Sequence, residues 1–180
     1  MGHSDALRRR RAALISVVII VRVACAVLLF YVFANGHREW ALAIFLCAIV
    51  CDALDGWLAR RFNVVPSLGP YADAGADLLL VLAAFGAFVI KGIYPEWTLP
   101  LIVGMFVQFI WTSGREQPLY DPLGKYYGVF LFAAVGATLA FPRPAISRVV
   151  LAGIPVFTAV SLASRVVFFR RRRKRTEPDS

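Results

Sequence analysis

Charge is scarce in this chain, and negative charge scarcer. Charged residues make up 17% of its 180 positions, with 11 Asp and Glu against 20 Lys and Arg. Hydrophobic residues reach 59% and mean hydropathy is +0.69, which excludes an ordinary soluble domain and points to an integral membrane protein. Cysteine is limited to Cys25, Cys47 and Cys51, all within apolar runs, so no secreted disulfide framework is available. Cys47 and Cys51 would share a helix face near Asp55, a conceivable thiolate metal site, but the expectation is buried thiols filling space between helices. No Gly/Ser linker, low-complexity tract or repeat divides the chain. Six spans of about 20–25 residues nearly exhaust it, so one membrane domain is expected.

The net charge of +9 could suggest nucleic-acid binding, but ten of the 20 basic residues fall in two terminal clusters, Arg8–Arg11 and Arg170–Arg175, beside apolar segments. That placement reads as a topology signal with attraction to anionic lipid. The fold expected is all-α and integral to the membrane, with six transmembrane helices. Residues 1–12 form a basic interfacial segment, 13–169 the membrane domain, and 170–180 a basic, disordered cytosolic tail.

The first span covers about 13–35. Ala24-Cys25-Ala26 resembles a signal-peptide cleavage site, but Arg22 interrupts the apolar run and hydrophobicity continues to Ala34, so an uncleaved span is expected. Arg22 within it should face the protein interior, either in the site or simply paired with an aspartate. The turn Asn35–Glu39 leads to a second span from Trp40 to about Phe62. The third starts at Ser67 or Leu68 and ends near Lys91-Gly92. The fourth covers about 98–113, the fifth 123–141, and the sixth 145–169. With the N-terminus cytosolic, Arg8–Arg11, Arg60, Arg61, Arg115, Lys125 and the tail lie on one side. The other side receives Arg38, Lys91, Arg143 and Arg148. The positive-inside rule then places both termini in the cytosol of a cell inner or plasma membrane.

Four of the few carboxylates are concentrated in Asp52–Asp77, between strongly apolar flanks. Asp52 and Asp55 are three apart, Asp73 and Asp77 four apart, so on helices each pair shares a face with about 4.5 and 6 Å of rise. Carboxylates in such surroundings need a polar cavity and cationic partners. Two helix-borne pairs can converge on one or two divalent metals. Mg²⁺ suits them because it takes carboxylate oxygens and leaves places for water and substrate phosphate; Mn²⁺ is the alternative.

Asp52-x-x-Asp55-Gly56-x-x-Ala59-Arg60, eight residues, then Gly69-x-x-x-Asp73-x-x-x-Asp77 resembles the full signature of the CDP-alcohol phosphotransferases, also called CDP-alcohol phosphatidyltransferases. All eight fixed positions match at the right spacing. The resemblance implies transfer of a substituted phosphoryl group from CDP-diacylglycerol or a related CDP-alcohol to an acceptor hydroxyl, with release of CMP. It further implies two Mg²⁺ ions, a homodimer, and membrane lipids as surroundings. Asp52, Asp55 and Asp73 match metal-binding positions. Asp77 matches the general base and is counted with the metal set. Arg60 matches the phosphate-binding Arg, while Gly56, Ala59 and Gly69 would line the cytidine site. An Arg near the active site in the first helix, as Arg22 is here, is also common in that family.

Acceptor choice is less marked. Lys125, in Asp-Pro-Leu-Gly-Lys-Tyr-Tyr-Gly, with Arg115, Arg165 and Arg22, are candidates for holding the phosphate of glycerol 3-phosphate or inositol phosphate. Many glycerophosphate-type members have Lys directly after the last motif Asp, whereas this chain has Leu78, which weighs against a phosphatidylglycerophosphate synthase. Two other readings compete. An intramembrane Mg²⁺-dependent prenyltransferase usually needs more spans and acidic motifs farther apart. A divalent-cation channel or transporter would not need Gly56, Ala59, Arg60 and Gly69 at fixed offsets.

Overall fold

The computed structural model describes residues 19–61, 70–112 and 122–176. Six helices and no strands occur among them: α1 (Ile19–Ala34), α2 (Arg38–Arg61), α3 (Pro70–Ile90), α4 (Thr98–Thr112), α5 (Pro122–Ala140) and α6 (Pro144–Thr176). The all-helical expectation holds for these residues. By length and composition, one stretch is long and apolar enough to cross a membrane, Pro144–Ala163 of α6. The apolar stretches of α1, α3, α4 and α5 are shorter.

The chain reverses through short connections at 35–37, 91–97 and 141–143, which makes α1/α2, α3/α4 and α5/α6 antiparallel neighbours. Two of these turns are built alike. Gly36 and Gly92 adopt φ of +89° and +69°, a region nearly closed to residues with a Cβ. At the first, His37 N–H donates to Val32 O and Gly36 N–H to Phe33 O; at the second, Ile93 donates to Phe88 O and Gly92 to Val89 O. Both are Schellman caps, satisfying carbonyls that the helix ends would leave bare. Proline opens α3, α5 and α6, where its missing N–H costs nothing.

The core sits around α3, whose Leu80, Val81, Ala84, Phe85, Ala87 and Phe88 are buried. Phe88 meets Phe33 of α1 edge-on with ring centres 5.0 Å apart, and Phe85 packs on Tyr94 at 5.3 Å. Phe45 of α2 stacks on Phe132 of α5 at 5.9 Å. Further contacts join α5 to α6 and α3, and α4 to α3 and α6. Tyr94 donates to Thr138 Oγ1 at 2.7 Å, and Thr138 in turn donates to the Ala134 carbonyl at 2.7 Å. Burial pushes the Tyr94 phenol above its ordinary range, against the smaller opposing effect of the Thr138 and Ser147 hydroxyls, which keeps it a donor.

Three expectations need correction. The tail Arg170–Arg175 is not a break after the sixth helix, because α6 continues through it to Thr176. Arg and Lys are good helix formers, no Pro or Gly lies between Arg170 and Thr176, and cations suit a helix C-terminus. Cys47 is exposed on the outer face of α2, with Leu46, Ile49 and Val50, while Cys25 and Cys51 are only part-buried. The inward face of that stretch is taken by Ala41, Phe45 and Ala48, so Cys47 does not fill the core, whereas Cys25 packs against it from α1. The helix-two start also moves earlier, since Arg38 and Glu39 belong to α2. The starts expected at Ser67 or Leu68 and at residue 13 lie outside the described residues.

Two glycines test the packing. A Cβ at Gly153 of α6 would come within 2.6 Å of Phe130 Cζ, and that ring is stacked on Phe157 at 4.6 Å. Gly153→Ala is expected to cost about 1–3 kcal/mol by overpacking, outweighing the helical preference for Ala. Gly104→Ala meets nothing within 4 Å and should be neutral or stabilising by up to about 1 kcal/mol. Thermal unfolding of both variants in detergent checks the contrast.

Candidate active site

Asp52 lies in the C-terminal half of α2 and Asp77 in the N-terminal half of α3, so both approach the end of the bundle opposite the three short turns. Arg22 reaches them from α1. Its Nη2 donates to Asp52 Oδ1 and its Nη1 to Asp77 Oδ1. The Arg22 residue is 4% exposed, whereas the Asp52 and Asp77 side chains are 49% and 36% exposed. One guanidinium therefore ties three helices together, and its two carboxylates remain open on their outer sides. Ala26 and Leu29 below Arg22 are buried, which anchors α1 at the correct rotation.

The rest of the signature is placed only by its helices. Asp55, Gly56, Ala59 and Arg60 follow Asp52 on α2, and Asp73 precedes Asp77 by one turn on α3. Their side chains lie outside the described residues, as do Gly69 and Arg115 altogether. Lys125 falls in the first turn of α5 and Arg165 on α6 beyond its apolar stretch, both at the Asp52 end; their side chains also lie outside. Arg61, at the end of α2, sits over the exposed Trp57 ring at 5.0 Å, a surface cation–π pair.

Among the described side chains, no group of three His, Cys, Asp or Glu converges. What converges is a carboxylate pair from two helices around one positive charge. An all-oxygen, anionic donor set on facing helices has the chemistry that suits a hard divalent cation such as Mg²⁺.

A polar layer missed in the sequence crosses the bundle at the same depth. Tyr127 of α5 and Ser161 of α6 bury their hydroxyl oxygens, with Thr158 beside Tyr127. Asp52, Asp77, Tyr127 and Thr158 each lie about 13–14 residues, or 20 Å, from the short-turn end of their own helix. A Tyr in an apolar run carries no periodic signal that separates it from core, so only helix register exposes this layer.

The model of the CDP-alcohol phosphatidyltransferase family matches residues 12–167. The chain belongs to the CDP-alcohol phosphatidyltransferase family. Among curated relatives, a cardiolipin synthase (CMP-forming) of Streptomyces coelicolor is 42% identical over 92 residues, 48% of this chain and 43% of the relative. A CDP-diacylglycerol–glycerol-3-phosphate 3-phosphatidyltransferase of Pseudomonas fluorescens is 32% identical over 103 residues, 57% of this chain and 53% of the relative. One of the same name from Rickettsia typhi is 37% identical over 62 residues, 34% of this chain and 35% of the relative. The chain thus spans about half or less of the curated relatives it matches. No solved structure matches it. Membership in the CDP-alcohol phosphatidyltransferase family removes the grounds for the prenyltransferase and cation-channel readings.

Replacing Asp52 or Asp77 by Asn removes one of the two described carboxylate partners of an almost buried guanidinium. Each change is expected to lower stability by about 1–3 kcal/mol without divalent metal. Partial exposure of the carboxylates keeps the loss below that of a fully buried pair. Thermal unfolding with EDTA present measures it.

Proposed function

We propose that this protein transfers a phosphatidyl group from CDP-diacylglycerol to a glycerol hydroxyl of an acceptor, releasing CMP. The observation that carries this is the approach of Asp52 and Asp77, from α2 and α3, around one cation in a chain of the CDP-alcohol phosphatidyltransferase family. The printed names of the relatives support a glycerol acceptor, either glycerol 3-phosphate or the headgroup of a second lipid. Inositol phosphate has no such support. Leu78 in place of Lys favours the lipid acceptor of the two.

In the transfer, the acceptor oxygen forms a bond to the phosphatidyl phosphorus while the bond from that phosphorus to the CMP oxygen breaks. Asp77 takes the acceptor proton on a carboxylate oxygen. Asp52, Asp55 and Asp73, together with Asp77, would hold Mg²⁺. The bound ions would neutralise the diphosphate and stabilise the leaving CMP. Arg60 grips phosphate oxygens through its planar fork, and the absence of side-chain bulk at Gly56, Ala59 and Gly69 lets the nucleotide approach the backbone. Lys125 and Arg165, on α5 and α6 at this end, together with Arg115 in the connection between α4 and α5, would hold a phosphate on the acceptor.

The setting proposed is a six-span membrane domain over 13–169, preceded by the basic interfacial segment 1–12 and followed by the basic 170–180 region. Exposed apolar residues such as Leu46, Val50, Val107, Val149 and Val160 then face acyl chains. Arg38, Lys91, Arg143 and Arg148 lie at the short-turn end, so the positive-inside rule puts Asp52 and Asp77 toward the cytosol, with both termini. A homodimer is the proposed assembly.

CMP release from CDP-diacylglycerol with Mg²⁺ tests the function, using glycerol 3-phosphate, phosphatidylglycerol and inositol phosphate as acceptors. Release is expected with a glycerol acceptor and should fall by about 10²–10⁴-fold in Asp77→Asn. Equal release by the variant would remove Asp77 from its role. No release with any acceptor would overturn the proposal.

A further inference from the structure

Arg22 is given no step in the proposed transfer, yet it is the most deeply enclosed charge among the described residues. Placing a guanidinium at 4% exposure inside an apolar bundle is costly unless its donors are satisfied by anions. It meets that requirement through two carboxylates on two other helices, Asp52 and Asp77. Those are the same carboxylates that fit a divalent cation. Each carboxylate that accepts from Arg22 through its Oδ1 is also one that would serve such a cation, and positive charges sharing one pair of carboxylates repel each other.

We infer that Arg22 is a built-in counter-ion that competes with the divalent metal for Asp52 and Asp77. The inference rests on the proposed metal role of these aspartates. Without metal, the guanidinium cancels the carboxylate repulsion and cross-links α1, α2 and α3, so the site stays assembled. When metal binds, the Arg22 contacts weaken, and part of the metal's binding energy is spent displacing them. Arg22 is in this sense a positioning residue that sets how much metal the site requires, and the metal-free bundle does not depend on metal to hold α2 against α3.

The test is thermal unfolding of the full chain in detergent, first in EDTA and then across a Mg²⁺ series, for the wild type, Arg22→Gln and Arg22→Lys. Arg22→Gln is expected to unfold at lower temperature in EDTA. It should gain more from Mg²⁺ than the wild type does, with half of the gain at roughly tenfold lower Mg²⁺. Arg22→Lys keeps one charge but lacks the fork that spans both carboxylates, so its Mg²⁺ midpoint should fall between the two. An equal loss of stability in EDTA and in Mg²⁺, with an unchanged midpoint, would make Arg22 merely structural and overturn the inference. So would a midpoint moved to higher Mg²⁺. Should Arg22→Gln fail to fold in EDTA, with or without recovery in Mg²⁺, the Arg22→Lys midpoint decides: below wild type supports, equal or above overturns. An absence of any Mg²⁺ response in all three proteins would instead remove the metal reading on which the inference stands. Because unfolding is measured without substrate, that failure is separable from failure of CMP release.

Discussion

Carboxylates in an apolar helix bundle must be neutralised, and here one buried guanidinium does so for two of them. The Arg22 contacts to Asp52 and Asp77 constrain α1, α2 and α3 in rotation and in depth at once. A charge in this position has few tolerable alternatives, since losing either partner leaves it in surroundings that solvate it poorly. The acidic end of the bundle is therefore specified by electrostatics, where most of the interior is specified by packing.

The opposite end supplies the rigidity against which that geometry is held. Two Schellman caps at Gly36 and Gly92 lock the reversals, and Phe33, Phe85, Phe88 and Tyr94 fill the space between α1, α3 and the α3–α4 turn. The Tyr94–Thr138–Ala134 chain of hydrogen bonds ties that turn to α5. Hinging the helices at a well-packed end leaves the Asp52 end able to combine half-exposed carboxylates with small residues. Such a division suits the proposed site, which would admit a nucleotide from water and an acyl-bearing donor from the membrane.

Much of this arrangement was legible in the sequence. The concentration of Asp52, Asp55, Asp73 and Asp77 between apolar flanks, with Gly56, Ala59, Arg60 and Gly69 at fixed offsets, indicated the family and its helix pair. The spans expected at 98–113 and 123–141 agree with α4 and α5 to about one residue, because turn residues and prolines mark their ends plainly. The failures have a common cause. A helix hydrophobic nearly all round gives no moment to show which side is interior, so Cys47 was assigned to the core when Phe45 and Ala48 occupy it. For α6, a drop in hydropathy at Arg170 marks the end of the apolar stretch, which is a different boundary from the end of the helix.

By itself the sequence determined the helical class, the family, and which residue types are available for phosphoryl transfer, because these follow from local hydropathy, turn chemistry and fixed spacing. Tertiary structure alone decided that Arg22 serves both Asp52 and Asp77, 30 and 55 residues away along the chain. It likewise decided that Tyr127 and Thr158 lie level with them. Such relations depend on the relative rotation and depth of separate helices, which are set by the fit of Phe33, Phe45, Phe88 and Phe132 into neighbouring surfaces. No periodicity within a single segment records that fit.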